Sequence, residues 1–130
     1  MFNNSFLKKL NILFIESNTE DREHFSNILY KFFNNVVVCS NGKDGIDNFL
    51  EKRQEYFVDI IICDKTLEDI TGIEVLKKIR EIDSEIPFII TSPKIEVDDL
   101  LIAIKYKATD YLSKPINGKD MIFCIERVCH

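Results

Sequence analysis

The chain has 130 residues, of which 45% are hydrophobic and 30% charged, and its formal net charge is −5. That composition is typical of one globular domain with its own core, and the acidic balance disfavours direct binding to nucleic acid or to an anionic membrane. No apolar run approaches the roughly 18 residues of a membrane span, and the amino terminus lacks an apolar stretch of signal-peptide length. We therefore expect neither membrane association nor export.

The cysteines bear on the redox environment. Cys39, Cys63, Cys124 and Cys129 show no CxxC or Cys/His spacing, which disfavours a metal site. Cys39 and Cys63 lie inside apolar runs, where a free thiol packs as a small hydrophobic group. We expect reduced thiols, which together with the missing export signal indicates a cytoplasmic protein.

Short apolar runs predict five strands, at residues 11–15, 36–39, 58–63, 87–91 and 110–113. Apolar residues at helical spacing follow each strand. In chain order these are Phe25, Ile28, Leu29, Phe32 and Phe33; Ile46, Phe49 and Leu50 on an inner side; Val75, Leu76, Ile79 and Ile82 facing inward; Val97, Leu100, Leu101 and Ile104; and Met121, Ile122, Ile125 and Val128. Strands that alternate with helices predict βαβ units, and hence a parallel sheet with helices on both faces.

Polar residues mark where two of these helices begin. Asn18 or Thr19 is expected to cap the first helix, and Glu20 and Asp21 in its first turn are favourable for the helix dipole. Asn117 is expected to cap the last helix.

The residues at the carboxyl ends of the predicted strands suggest the chemistry. Right-handed crossovers bring all these ends to one edge of the sheet, where open α/β sheets bind ligands. Two acids, a hydroxyl and a lysine there are the groups needed for metal-assisted phosphoryl transfer to a carboxylate. The residues concerned are Glu16 and Ser17, Asp64, Ser92 with Thr91 beside it, and Lys114.

With these residues in place, the chain resembles the receiver domain of two-component response regulators over about residues 11–129. The matching pieces are Ile12 to Glu16, Arg22, Asn41 to Ile46, Ile60 to Asp64, Gly72 to Arg80, and Ala108 to Pro115. The resemblance implies one domain over residues 1–130, a flavodoxin-like three-layer α/β sandwich. Its doubly wound, five-stranded parallel sheet would have the strand order 2-1-3-4-5.

The resemblance also implies roles for the residues at the sheet edge. Asp64 would accept a phosphoryl group from the histidine of a sensor kinase or a phosphotransfer protein, and Lys114 would contact that group. Mg²⁺ would be held by Glu16, Asp64 and the backbone carbonyl of Thr66, with Ser17 as an atypical, weak ligand. The domain would be a signalling module that catalyses only its own phosphoryl transfer and dephosphorylation.

A conformational switch is implied in the same way. Ser92 and Tyr111 would be the switch pair, and the Lys114–Pro115 bond would be cis. Ser92 is preferred to Thr91 because it lies 22 residues before Lys114, the family's spacing. The residues alone leave alternatives open, because Ser92 is equally suited to capping a loop and Tyr111 to packing in the core.

The output surface implied by the resemblance combines three elements: the helix that carries Val97 to Ile104, the strand 110–113, and the last helix. Phosphorylation would alter the affinity of this face for a second copy of the chain, giving a homodimer, or for a downstream output domain or protein.

Three positions depart from the family pattern. Ser17 stands where the family has a second acid, and a hydroxyl is a poor replacement for a carboxylate on a hard cation, so we expect weak Mg²⁺ binding. Glu68 replaces a proline, and Lys107 replaces a frequent glycine. The alternative function is therefore a pseudo-receiver that docks or dimerises without phosphorylation. A nucleotide-binding role is excluded because residues 16–21 are acidic and contain no glycine.

Overall fold

The central element is a parallel sheet of five strands. The computed structural model describes residues 2–55 and 57–129, so that Met1, Tyr56 and His130 of the predicted domain lie outside the described residues. The strands pair in the order β2-β1-β3-β4-β5, all parallel, which confirms the predicted fold class. They are β1 (Asn11–Ile15), β2 (Asn35–Cys39), β3 (Ile60–Asp64), β4 (Phe88–Ser92) and β5 (Asp110–Ser113).

Helices cover both faces of the sheet. In the described part of the chain they are α1 (Asn4–Lys8), α2 (Thr19–Phe32), α3 (Gly42–Lys52), α4 (Gly72–Ile82), α5 (Val97–Lys105) and α6 (Gly118–Cys129). One core cluster joins the sheet to α3, α4 and α5, and the other joins it to α1, α2 and α6. None of the described helices has the length and apolarity needed to cross a membrane.

Side-chain caps fix the starts of five of the described helices, including α1, where Asn3 accepts a hydrogen bond from the Phe6 N–H. Asn18, not Thr19, caps α2 by accepting a hydrogen bond from the Asp21 backbone N–H at 2.9 Å. Asn117 caps α6 through the Asp120 N–H at 2.8 Å, as predicted. Asn41 and Thr71 cap α3 and α4 in the same way. Each cap satisfies one of the backbone donors that a helix leaves unpaired at its first turn.

Helix α1 was not predicted, because five residues are too few to show a helical period. Its Leu7 is fully buried, and the Asn3 N–H donates to the Glu126 carboxylate in α6 at 2.7 Å. The Phe2 ring lies 5.5 Å from the Phe32 ring and 4.6 Å from the Phe123 ring, centroid to centroid. The segment before β1 is therefore part of the second core cluster.

Apolar side chains in α3 and α5 are more exposed than the helical period suggests. Leu50 was predicted on the inner side of α3, but its side chain is 44% exposed, whereas Phe49 is buried. In α5 the residues Val97, Leu101 and Ile104 are mostly exposed, and Ala103 is the residue that the helix buries. Periodicity identifies an amphipathic helix, but it does not choose the buried side when a small residue allows closer approach to the sheet.

Helix α5 ends in an unusual backbone conformation at Lys107, whose φ is 62°. The Lys107 N–H donates to the Ile104 carbonyl at 3.0 Å, and the Ala108 N–H donates to the Ala103 carbonyl at 2.9 Å. These two bonds form a Schellman motif, in which the left-handed position favours glycine. The family's frequent glycine at this position therefore has a steric reason, and Lys107 occupies it under strain.

The four cysteines form no disulfide with one another. Cys39, Cys63 and Cys124 are buried, and Cys129 is partly buried. Burial raises the pKa of the Cys39 thiol to about 11, so it stays protonated and unreactive at neutral pH.

Candidate functional site

Lys114 directly follows β5, an outer strand, and its side chain reaches the acids at the carboxyl ends of β1 and β3. Its ammonium nitrogen is 2.7 Å from Glu16 Oε1 and 2.8 Å from Asp64 Oδ1. Glu16 follows β1 and Asp64 ends β3, the neighbouring strand, and both residues are buried, with 1% and 4% of their surface exposed. The structure thus brings together the two acids and the lysine that the sequence singled out.

A third carboxylate, which the sequence analysis did not assign to the site, completes the surroundings of Lys114. Asp21 Oδ2 in the first turn of α2 is 2.9 Å from Lys114 Nζ. The only sequence signal was an acid at a helix start, and the helix dipole already explains such an acid.

Burial and pairing oppose each other in this cluster. Burial alone would lower the pKa of Lys114, but its hydrogen bonds to Asp64, Glu16 and Asp21 raise that pKa above its ordinary value. Burial raises the pKa of Glu16, and the hydrogen bond from Lys114 opposes that change. The ammonium is therefore firmly protonated and compensates for the buried acids.

Asp64 accepts two further hydrogen bonds. The Thr66 backbone N–H donates to Oδ2 at 3.1 Å, and the Thr91 hydroxyl donates to Oδ1 at 3.0 Å. Thr91 pairs with Asp64 in the register of β3 and β4, so their side chains emerge on the same face of the sheet. Ser92 was preferred to Thr91 from the sequence, and strand alternation alone could not show that Thr91 lies beside Asp64, because that depends on the register of β3 and β4.

Ser92 and Tyr111, the predicted switch pair, lie close to each other, and within the described residues neither makes a hydrogen bond to Asp64. The Ser92 hydroxyl donates to the Lys94 carbonyl at 2.8 Å, which is loop-capping geometry. The Tyr111 hydroxyl is buried and makes no hydrogen bond within the described residues. Burial raises the pKa of the Tyr111 phenol, and the nearby Ser92 hydroxyl opposes that change. The Lys114–Pro115 peptide is cis.

Ser17 joins three loops instead of facing Asp64. Its hydroxyl donates to the Ser40 carbonyl after β2 at 2.5 Å and accepts a hydrogen bond from the Glu68 N–H after β3 at 3.0 Å. Arg22 holds the same region by donating to the Glu16 and Ser17 carbonyls. A carboxylate at position 17 could not donate to the Ser40 carbonyl, so the serine has a structural use here.

Two other contacts tie the loop after Asp64 to neighbouring helices. The Asp69 carboxylate accepts hydrogen bonds from the backbone N–H groups of Gly42 and Lys43, both at 2.8 Å, at the start of α3. Lys65 forms an ion pair of 2.5 Å with Asp99 in the first turn of α5. The loop that follows the buried acid therefore contacts both α3 and α5.

The oxygen ligands at this edge bear on divalent-cation binding. Glu16 and Asp64 place carboxylate oxygens around one cationic atom, and such oxygens are what Mg²⁺ prefers. Within residues 2–55 and 57–129, no three acidic, histidine or cysteine side chains form a ready metal cage. The edge therefore offers two buried acids, Glu16 and Asp64, one fewer than the family pattern because residue 17 is a serine.

The fold and this edge define a flavodoxin-like α/β domain whose centre is built from buried acids around a lysine. The family model described as the response regulator receiver domain matches residues 12–126. The chain belongs to the response regulator receiver domain family, and it is a receiver domain of the two-component response regulators.

Curated relatives agree with this assignment. The response regulator ArlR of Staphylococcus aureus is 33% identical over 94 residues, which are 72% of this chain and 41% of ArlR. The transcriptional regulatory protein ZraR of Klebsiella oxytoca is 35% identical over 82 residues, 63% of this chain and 18% of ZraR. The matched regions thus span less than half the length of these relatives.

Solved structures show the same fold. A response regulator receiver domain protein from Clostridium thermocellum superposes with a TM-score of 0.84 at 23% identity, over 93% of this chain and 94% of the other. The amino-terminal domain of an uncharacterized Wolinella succinogenes protein gives a TM-score of 0.83 at 27% identity, over 92% and 94% of the two chains.

Proposed function

We propose that this receiver domain is a phosphoacceptor, in which Asp64 takes a phosphoryl group from the phosphohistidine of a sensor kinase or a phosphotransfer protein. The observation that carries the proposal is the convergence of two buried carboxylates, Asp64 and Glu16, on the Lys114 ammonium at 2.8 and 2.7 Å. This arrangement places a nucleophilic carboxylate beside a fixed positive charge. Phosphoryl transfer requires both.

In the proposed reaction, a carboxylate oxygen of Asp64 attacks the phosphorus atom. The new O–P bond forms while the P–N bond to the donor histidine breaks, and the electron pair of that bond leaves with the imidazole, which takes up a proton. Lys114 donates a hydrogen bond to a phosphoryl oxygen. Its permanent charge offsets the negative charge that this transfer brings into a buried site.

Glu16, Asp64 and the backbone carbonyl of Thr66 would hold Mg²⁺. Bound there, the cation would neutralise charge on the phosphoryl oxygens. Ser17 is bonded to the Ser40 carbonyl and to the Glu68 N–H, so it would not serve as a strong ligand. We therefore propose a Mg²⁺-dependent reaction with weaker cation binding than in a site with two adjacent acids.

The proposed output is a two-state switch in which Ser92 and Tyr111 move together. An aspartyl phosphate adds about two negative charges, and the Ser92 hydroxyl would leave the Lys94 carbonyl to bond a phosphoryl oxygen. An unpaired buried hydroxyl costs about 1–3 kcal/mol, so the lone Tyr111 hydroxyl supports a second, competing position of that ring. The switch would change the affinity of the face formed by α5, β5 and α6 for a second copy or an output domain.

One observation favours the alternative, a pseudo-receiver. The engagement of Ser17 in a loop bridge is a stable structural use of the position that would otherwise supply the second acid. In that case the domain would dock or dimerise through the same face without any phosphorylation.

Intact mass spectrometry after incubation with acetyl phosphate and Mg²⁺ separates the two. A phosphoacceptor gains one phosphoryl mass, about 80 Da, and the Asp64→Asn variant and an EDTA-treated sample do not. An adduct that persists in Asp64→Asn, or no adduct at any Mg²⁺ concentration, would reject Asp64 as the acceptor and favour the pseudo-receiver.

A further inference from the structure

The Thr91 hydroxyl is hydrogen-bonded to the carboxylate that is the proposed phosphoryl acceptor. Among the described residues, two side chains donate to Asp64, Lys114 at 2.8 Å and Thr91 at 3.0 Å, both to Oδ1. The Lys114 ammonium lies at the end of a flexible chain and is shared with Glu16 and Asp21. The Thr91 side chain is buried, with 2% of the residue exposed, and its hydroxyl donates to Asp64.

The fold holds the Thr91 hydroxyl in place. Thr91 lies in β4, which is paired with β3 on one side and with β5 on the other. Its backbone carbonyl accepts a hydrogen bond from the Lys65 N–H at 2.8 Å, so Thr91 contacts both Asp64 and the residue after it. A β-branched side chain is also restricted in χ1. The hydroxyl is therefore a fixed donor, whereas the lysine ammonium is a movable one.

This difference matters when Asp64 takes a phosphoryl group. The carboxylate then loses its charge, and the Lys114 ammonium can move from Oδ1 to a phosphoryl oxygen. Thr91 and the Thr66 N–H, which donates to Oδ2 at 3.1 Å, remain to orient the Asp64 side chain. The neighbouring Ser92 hydroxyl does not share this task here, because it donates to the Lys94 carbonyl and accepts from the Lys94 N–H.

We infer that Thr91 is a positioning residue, whose hydroxyl orients the Asp64 carboxylate for attack on the phosphorus atom. The inference rests on the proposed phosphoacceptor function. Thr91 keeps its proton throughout and takes no part in the bond changes. Without the hydroxyl, the carboxylate is held by a movable ammonium and one backbone N–H, and a small misplacement of a reacting group costs much of the rate.

Two substitutions at position 91 separate orientation from packing. Thr91→Val keeps the branched shape and removes the hydroxyl, and we expect phosphorylation by acetyl phosphate and Mg²⁺, followed by intact mass, to slow about 10-fold. Thr91→Ser keeps the hydroxyl and removes a buried methyl group, which lowers stability, yet it should react at close to the wild-type rate. A role in packing alone would slow Thr91→Ser as well, and that result would overturn the inference.

Thr109→Val is the matched control. The Thr109 hydroxyl accepts a hydrogen bond from the Phe88 N–H at 2.9 Å, at the start of β4, whereas Thr91 lies near the end of that strand. The same atoms are removed and a hydrogen bond is again lost, but at the opposite edge of the sheet. We expect Thr109→Val to be less stable in urea and to react at the wild-type rate. Equal rates for Thr91→Val and Thr109→Val, or a faster Thr91→Val, would overturn the inference.

A second measurement needs no phosphorylation. A double-mutant cycle of Thr91→Val and Asp64→Ala, measured by urea unfolding, reports the coupling of the two side chains in the resting protein. A hydrogen bond to a charged group is strong enough to change the unfolding equilibrium by about 10-fold, and a cycle without coupling would reject the contact. No adduct on the wild-type chain would reject the proposed function, whereas adducts that form equally fast on wild type and Thr91→Val would reject the inference alone.

Discussion

Helices α4 and α5 are neighbours on one face of the sheet, and they are anchored very differently. Both are apolar at helical spacing, yet Val75, Leu76 and Ile79 of α4 are fully buried, while Val97 and Leu101 of α5 are 70% and 59% exposed. Helix α4 is held by its side chains in the core. Helix α5 rests on Ala103 and on the Lys65–Asp99 pair.

This difference separates α4, which contributes to the stability of the fold, from α5, which can move at a lower cost in free energy. Elements with few buried apolar contacts open at low free energy. Lys65 directly follows Asp64, and its partner Asp99 lies in the first turn of α5. In the proposed phosphorylation, the Lys65–Asp99 pair would pass a change of charge at Asp64 to the weakly anchored α5.

The largest expected effect tests the anchoring directly. Ile79→Ala in α4 should lower the free energy of unfolding by about 2–5 kcal/mol, because it removes a fully buried side chain and leaves a cavity. Its matched control is Ile104→Ala in α5, where the same truncation removes a side chain that is 62% exposed, and where we expect a change within about 0.5 kcal/mol. Urea unfolding measures both, and equal losses would contradict the comparison.

Ala103 tests the contact by which α5 rests on the core. Ala103→Leu should destabilise the domain by about 1–3 kcal/mol, because three added carbon atoms have no room at a position that is 1% exposed. Thermal or urea unfolding measures the loss. An unchanged stability would mean that α5 shifts outward at no cost, and thus that it is anchored even more weakly than its burial indicates.

The end of α5 offers a substitution that strengthens the protein. Lys107→Gly should raise the free energy of unfolding by about 0.5–1 kcal/mol, because glycine adopts a φ of 62° without the steric cost that a Cβ incurs. Lys105→Gly, at the last residue of the same helix, should instead lower the free energy of unfolding, by up to about 1 kcal/mol. Both are measured by the urea midpoint, and a destabilised Lys107→Gly would contradict the argument from backbone strain.

The smallest effect concerns α6, which is joined to β5 by an ion pair between Asp110 and Arg127. Burial acts to raise the pKa of Asp110, but the hydrogen bond from Arg127 lowers it below its ordinary 3.8. A lowered pKa gives stability that is present above the unfolded value and is lost as the pH falls through the folded one.

Asp110→Asn should therefore cost about 0.2–1 kcal/mol at pH 7 and progressively less below pH 3.8. Unfolding as a function of pH tests this, and a loss that stays constant down to pH 2 would show that the pair contributes through packing and not through charge.

Much of the fold was predictable from local patterns. Continuous apolar runs such as Ile60 to Cys63 are typical of strands buried on both faces, and the alternation with helices fixed the parallel sheet. The convergence of Glu16, Asp64 and Lys114 followed from topology, since parallel strands end at one edge. The strand order came from the family resemblance, because spacing alone does not order a sheet.

The features that the sequence did not reveal depend on contacts between distant residues. Asp21 carries no mark that distinguishes it from any acid in a first helical turn, and its pairing with Lys114 exists only once the start of α2 and the end of β5 meet at the edge of the sheet. The bridge made by Ser17 needs three loops in place. The buried side of α5 is the side that carries Ala103, because a small side chain permits close approach. Hydrophobicity alone would rank Ala103 below the neighbouring leucines and isoleucines and so would not identify that side.

Helix α1 has a practical consequence for dividing this protein into modules. The family match begins at residue 12, but Leu7 is fully buried and the Asn34 N–H donates to the Lys8 carbonyl at 3.3 Å. A fragment that begins at residue 12 would expose the apolar surface against which Leu7 packs. It would also lose the hydrogen bond from the Asn3 N–H to α6. Grafting the domain onto another protein should therefore retain residues 2–10, because the unit that folds is larger than the unit that the family shares.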